Sequence, residues 1–381
     1  MTILSWFDQF PWSQYANTIL QQAYTIDRGL DYPRVYYSIF AGRSKFLDIH
    51  LKYCDMLLRL KYVTEVHIWD FTGNGWDFVF DNFQNKNYVS RFITGTDMDG
   101  YRLFQKSSSR NNRFRRRRKN GDFEDFDYKW GSYYEHYANN KRYRDTDILV
   151  KADDDIVFMD LSNFAKFITD ISTYQGTHLH FPNIINNDAG FIVQADHLQR
   201  NSAVHKWIRF YTSVLHLNLT DRITRGYDDI YNNLNTEPLT TWKHGVRTQA
   251  NFLFDIHQLF LKDPKSFLDA MHEPSSDQSR FIQIYRRISL NMYAGNFVSV
   301  RKYFAMFLHL FCCEDESFVG AIPSITGDSH IMHTHFVVSH HAFYLQTQPE
   351  NADVLASIRD VYEHIATVFE TIQLKHMNIT A

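Results

Sequence analysis

The sequence predicts an α/β fold: a sheet that opens with parallel strands, helices flanking it, and an amphipathic helix near the C-terminal end. Three stretches lead to that expectation. In the first, the β-branched and aromatic run Val35-Tyr-Tyr-Ser-Ile-Phe40 is followed by the turn Ala41-Gly42-Arg43 and by a helix from Ser44, and Glu65-Val-His-Ile-Trp-Asp70 then reads as a second strand. Strand, helix, strand is a crossover unit, and crossovers join parallel strands. In the second, the apolar run Ile148-Leu149-Val150 leads into Asp153, Asp154 and Asp155, and a second apolar run, Ile156-Val157-Phe158, follows at once. In the third, Val354, Ile358, Val361, Ile365, Val368 and Ile372 recur at three to four within Asp353 to Lys375, which gives one apolar helix face.

Residues 1–32 read as an N-terminal extension with a short helix around Tyr15 to Tyr24. In the helix that Ser44 is placed to cap, Phe46, Ile49, Cys54, Leu57 and Leu58 share a face. The strand ending at Asp70 is closed by Phe71-Thr-Gly-Asn-Gly75. Between 107 and 127, seven basic residues precede four acidic ones behind a Ser- and Asn-rich lead, and this reads as a mobile, solvated loop. Trp130 to Tyr143 reads as a helix carrying Tyr133, Tyr134, Tyr137 and Ala138 on one side, and Leu161 to Tyr174 as another. His178 to Asn187 is expected to be a strand and loop, and Gly190 to Gln194 a strand. Residues from about 200 to 300 read as helical and loop-rich. Five histidines (His330, His333, His335, His340, His341) crowd a stretch whose apolar residues otherwise indicate a strand, and Gln348 to Ala352 reads as a linker to the last helix.

The 381 residues are 44% hydrophobic and 16% aromatic, enough for a full core. A net charge of −3 makes no electrostatic case for nucleic acid or a membrane surface. The longest apolar run, Tyr303 to Cys313, is too short to span a bilayer and contains His309. Three cysteines, Cys54, Cys312 and Cys313, give no disulfide framework and point to a reducing compartment. The first residues lack a basic segment followed by an apolar one, so a cytoplasmic, soluble protein without a signal peptide is expected.

Three adjacent carboxylates between apolar runs repel one another and are drawn toward low dielectric, an arrangement that a cation offsets. On an extended backbone Asp153 and Asp155 would share a face while Asp154 points away. Hard oxygen donors suit Mg²⁺ or Mn²⁺ rather than Zn²⁺. An acidic, solvated turn is the plain alternative.

Val150-Lys-Ala-Asp-Asp-Asp-Ile-Val-Phe158 resembles the DxD segment of metal-dependent glycosyltransferases with the GT-A fold, above all the "K-x-DDD-x-F" form of the β-1,3-glycosyltransferase (fringe and galactosyltransferase-like) group. The resemblance implies a Rossmann-like, mixed but mainly parallel central sheet. It implies that Asp155 ligates a divalent cation bridging the diphosphate of a nucleotide-sugar, and that Asp153 faces the ribose or a metal-bound water, with Asp154 beside them. It also implies that Phe40, Ala41, Gly42 and Arg43 approach the nucleotide and diphosphate, and Asp70 the base or ribose. Cys312-Cys-Glu-Asp-Glu-Ser-Phe-Val-Gly320 resembles the "E-D-V-Y-x-G" segment of the same group, in which a carboxylate deprotonates the acceptor hydroxyl. Asp315 is the first candidate for that base and Glu316 the second, although Glu316 stands where the group has an apolar residue. Many GT-A enzymes take a last metal ligand from a C-terminal histidine, and His340, then His341, then His335 are the candidates here.

The organisation expected is an extension over 1–32, a nucleotide-sugar-binding half over 33–160, an acceptor-binding and catalytic half over 161–346, and a C-terminal helix over 347–381. The function expected is transfer of a sugar from a UDP-sugar, or a GDP-sugar, to a glycan hydroxyl with Mn²⁺ or Mg²⁺, inversion being the first expectation and retention open. The 107–127 segment would then be a lid over the diphosphate, a dock for an anionic acceptor, or a plain surface loop. Two alternatives stand beside this: a nucleotidyltransferase on a related fold, and a carbohydrate- or metal-binding protein without turnover. A zinc site in the histidine-rich stretch competes, but no cysteine or metalloprotease spacing accompanies it.

Overall fold

The computed structural model describes residues 10–26, 29, 31–41, 44–70, 101–105, 113–117, 123–127, 131–185, 257, 260–272, 281–284, 292–310, 330–340 and 352–377. The helices are α1 (Trp12–Thr25), α2 (Ser44–Arg59), α3 (Gly131–Asn139), α4 (Leu161–Thr173), α5 (Pro264–His272), α6 (Phe297–Leu310) and α7 (Ala352–His376). The strands are β1 (Val35–Ala41), β2 (Glu65–Asp70), β3 (Tyr101–Gln105), β4 (Arg113–Arg117), β5 (Phe123–Asp127), β6 (Ile148–Asp153), β7 (Ile156–Met159), β8 (His180–Ile185), β9 (Phe281–Ile284), β10 (Met292–Asn296) and β11 (His330–His340).

Among the described residues, nine strands form one mixed sheet in the order β3-β2-β1-β6-β10-β8-β11-β7, with β9 on the same edge of β11 as β7. The opening crossover is present: β1 pairs parallel with β2 on one side and with β6 on the other, so that Phe40 stands opposite both Trp69 and Asp153. β10 is antiparallel to both its neighbours. Strands β1, β2, β3, β6, β8 and β11 therefore run one way, and β7, β9 and β10 the other.

Only Asp154 and Asp155 separate β6 from β7, yet three strands lie between them in the pairing order. Two residues reach about 7 Å, so the sheet curls until the far strands return beside the end of β6. This brings His340, in register with Ile156, to the rim where β6 ends.

Each face of the sheet is covered. Val35, Tyr37, Ile39 and Ala41 of β1 join α1, α2, α4 and α7 in one buried cluster. Tyr36 and Phe40, the alternate residues, join α3 and α6 in a second, mostly aromatic cluster. There Tyr133 meets Phe40 edge-on at 4.5 Å, and Tyr137 takes up His67 Nδ1 at 2.6 Å and Trp69 Nε1 at 3.2 Å. The apolar face of α7 (Ile358, Val361, Tyr362, Ile365, Phe369) packs into the protein's own core.

Two local expectations are corrected. Within 107–127, the stretch read as a mobile loop contains β4 and β5, an antiparallel pair with Arg113 opposite Asp127, Arg115 opposite Asp125 and Arg116 opposite Glu124. Basic residues followed by acidic ones place opposite charges across the ladder when the chain folds back, which favours pairing. Within 200–300, β10 is a buried central strand that the sequence reading leaves unassigned. Its segment Met-Tyr-Ala-Gly-Asn is short and carries Gly295, whose missing Cβ would come within 3.3 Å of Leu179. The expected strand over 190–194 and the linker over 348–351 lie outside the described residues.

Candidate functional site

The C-terminal ends of the parallel strands define one rim: Ala41 ends β1, Asp70 ends β2 in register with Ala41, and Asp153 ends β6 opposite Phe40. After β1 the chain winds outward to β2 and β3 and then returns to β6 on the other side of β1. The crevice between β1 and β6 is thus the topological switch point, where open α/β sheets bind ligands.

The expected alternation of Asp153, Asp154 and Asp155 does not hold, because the extended backbone stops at Asp153 and the next two residues form the turn. Asp153 stays partly exposed, whereas Asp154 and Asp155 are buried. The Asp153 carboxylate accepts a hydrogen bond from Lys151 Nζ at 2.6 Å. Lys151 is itself buried, with Nζ 4.6 Å from the Phe40 ring centre and 5.8 Å from that of Tyr293. Asp155 lies near His50 of α2, whose Nε2 is 2.8 Å from the Tyr37 hydroxyl. Burial holds the His50 imidazole down to about 3, against an upward pull from Asp155 and the Asp153 carbonyl. Buried carboxylates need cationic or hydrogen-bonding partners. The partly exposed Asp153 and the buried Asp154 and Asp155 supply hard-oxygen donors of the kind that Mg²⁺ or Mn²⁺ takes, though their carboxylate oxygens are not gathered into a preformed three-ligand group.

Of the other expected site residues, Phe40 and Ala41 are buried at the rim, and the backbone ends of Asp70 and His340 reach it. Gly42, Arg43, Asp315, Glu316 and His341 lie outside the described residues. His335, the third choice for the rim metal, belongs elsewhere.

It belongs to a second cluster, built further back along β11, near its middle. His335 Nε2 is 3.3 Å and His333 Nδ1 3.8 Å from Oδ2 of Asp170, a residue of α4. The three ligand atoms lie within 4.8 Å of one another. Behind them His333 Nε2 meets His180 Nδ1 at 2.8 Å, and Lys166 Nζ meets Asp170 Oδ2 at 2.7 Å. Burial above all, and then the positive charges of His180, His335 and Lys166, hold His333 well below the usual imidazole range, so it is neutral near neutral pH. Sequence reasoning noticed the histidines but not the aspartate. The i, i+2 spacing of His333 and His335 was the available signal; Asp170 is brought to them only by the packing of α4 on the sheet.

No family model matches the chain, and neither a curated protein nor a solved structure matches it significantly. No helix among the described residues is long and apolar enough to cross a membrane.

Proposed function

We propose that this protein is a metal-dependent glycosyltransferase of the GT-A type, moving a sugar from a nucleoside-diphosphate sugar, UDP first and GDP second, to a glycan hydroxyl with inversion. The observation that carries the reading is the convergence, at the switch point between β1 and β6, of the β1 end with a buried acidic turn, while the curl of the sheet returns the His340 end of β11 to the same rim. That is where a diphosphate and its cation would be expected in an open α/β sheet.

Asp153 and Asp155, with His340 and then His341, would hold the cation. Bound there, Mn²⁺ or Mg²⁺ supplies Lewis acidity toward the departing diphosphate. Lys151 Nζ donates a hydrogen bond to the Asp153 carboxylate and fixes it at the strand end, so that one donor is in place before the ligand arrives. Phe40 and Ala41 form an apolar wall that limits water at the β1 end. Asp315, with Glu316 second, is assigned the base that takes the proton of the acceptor hydroxyl, and it must come within hydrogen-bond reach on the side away from the nucleotide.

The test is calorimetry of the full chain with UDP, GDP and dTDP in Mn²⁺, followed by donor-hydrolysis assays with the corresponding sugars. Binding that EDTA removes, and slow release of sugar, are expected. Asp155→Ala should lose the EDTA-sensitive binding with little change in melting temperature, and Asp315→Asn should bind donor but fail to transfer. Absence of EDTA-sensitive heat with all three nucleotides overturns the reading. Pyrophosphate release from a nucleoside triphosphate would replace it with a nucleotidyltransferase.

A further inference from the structure

We propose that Asp170, His333 and His335 form a separate binding site for a borderline transition-metal ion, Zn²⁺ in the first place, which fastens α4 to β11 and β8. The donor set differs in kind from the acidic turn. Two imidazoles and one carboxylate suit Zn²⁺ and its first-row neighbours, and are poor ligands for Mg²⁺ or Ca²⁺. The place differs too, since β11 runs on from His335 through Val337, Val338 and Ser339, in register with Asn183 to Ile185, before His340 reaches the rim.

The spacing is close to what an ion needs. Ligand atoms on a tetrahedral zinc with bonds of about 2.0–2.1 Å stand about 3.3 Å apart; here the aspartate-to-histidine distances are 3.3 and 3.8 Å. All three ligand atoms lie within 4.8 Å of one another, so side-chain adjustment alone would close the site. Three protein ligands leave a fourth position for water, which would be reached from the side of the partly exposed Asp170.

The backbone is deformed at this point. β11 pairs with β8 at His333 opposite Pro182, and next at Val337 opposite Asn183, so four steps along β11 match one along β8. Bulges of this sort re-aim side chains and concentrate beside functional sites. This one lies across Thr334, His335 and Phe336 and accompanies the approach of His335 to Asp170, while Phe336 remains stacked on Phe167 at 4.7 Å.

Two further residues act on the ligands without being among them. The 2.8 Å contact between His180 Nδ1 and His333 Nε2 can be donated from either side. If His333 Nε2–H donates, the Nδ1 lone pair is left facing Asp170; this is the second-shell arrangement by which metal sites fix a tautomer. Lys166 neutralises Asp170 in the metal-free protein, and being 40% exposed it can swing into solvent when an ion takes its place.

The site is tested by titrating the EDTA-treated full chain with Zn²⁺ by calorimetry, and with Co²⁺ by visible absorption. One equivalent of Zn²⁺, a rise in melting temperature, and the intense bands of four-coordinate rather than hydrated Co²⁺ are expected. Asp170→Asn and His335→Gln should each weaken Zn²⁺ binding at least tenfold, and His180→Phe by about 10–100-fold. Lys166→Ala should bind as tightly as the parent or more so. The same titration of Asp155→Ala should still give the Zn²⁺ equivalent, which separates this site from the proposed nucleotide-linked cation. If Asp170→Asn/His335→Gln binds Zn²⁺ as the parent does while melting at a similar temperature, or if the parent shows no saturable binding, the site does not exist.

Discussion

Lys151 is buried against two aromatic rings and is hydrogen-bonded to Asp153, which is 21% exposed on its side chain. A lysine rarely occupies such a place unless paired. Its stem fills apolar space on β6 while the ammonium meets the one carboxylate of the triplet that water also reaches, so the pair is only partly desolvated. Replacing Lys151 by Met keeps the volume and strands the carboxylate. We expect a loss of about 1–3 kcal/mol in urea unfolding, below the 3–5 typical of a fully buried pair, and a loss under about 0.5 kcal/mol would mean that water alone satisfies Asp153. At this scale the sequence was partly legible. The acidic triplet and its apolar flanks were visible, and they do close a buried strand. Which carboxylate is buried was not visible, because strand alternation was applied across a turn that begins at Asp154. The membership of Asp170 in the cluster with His333 and His335 was invisible for another reason: it stands more than 160 residues before them, and no local pattern encodes a contact made by helix packing.

Elements were more legible than contacts. The strand–helix–strand opening, α4 and α7 follow from periodicity to within a residue or two of their observed ends, because each buries a regular face, and β11 falls within the histidine-rich stretch that reads as a strand. β10 and the β4–β5 hairpin do not, since one is short and glycine-containing, and the other hides its pairing logic in charges rather than in apolar alternation. Helix α2 offers a test on this scale, because it carries a buried and a half-buried group that titrate in opposite senses. His50 has a folded value of about 3, below its usual 6.5. Its contribution to stability is therefore present above about pH 6.5 and is lost as pH falls toward 3, at about 1.4 kcal/mol per unit within that window. Asp48 is raised from 3.8 to about 6, by burial first and then by Glu363. Its contribution is fully present below 3.8 and is lost as pH rises through 6. Between these limits the two slopes oppose each other. Relative to the parent, His50→Gln should gain stability on acidification from about pH 6.5 to about pH 4.5, and Asp48→Asn should lose it. Urea midpoints across that range give the sign directly, and parallel profiles for both variants would remove α2 as a source of the protein's pH dependence.

On the scale of the whole molecule, α7 and α1 close the face of the sheet that carries α2 and α4. Helix α7 buries Ile358, Val361, Tyr362, Ile365, Ala366 and Phe369 in the core. Polar ties run to both neighbours: Lys52 Nζ to Thr367 at 2.7 Å, Gln373 Nε2 to the Met56 carbonyl at 3.1 Å, and His376 Nε2 to Asn17 at 2.7 Å. Five of those six side chains are large enough to contribute about 1.5–3 kcal/mol each, and their sum rivals the total stability of a typical domain, about 5–15 kcal/mol. A chain ending at residue 351 should therefore lack a cooperative thermal transition rather than melt a few degrees earlier. Phe369→Ala tests the same packing without deleting it. The ring lies 6.3 Å from Tyr15, 6.4 Å from Tyr53 and 6.4 Å from Phe158, so one truncation touches α1, α2 and β7 together. A loss of about 3–5 kcal/mol is expected, seen as one shifted transition by circular dichroism and tyrosine fluorescence alike. Because β7 leads directly from the acidic turn, that loss should also weaken Mn²⁺-dependent nucleotide binding at temperatures where the variant is still folded. Unchanged binding would show that the rim is held by β6 and β1 alone, and that the curl of the sheet, with the return of β11 it brings about, plays no part in it.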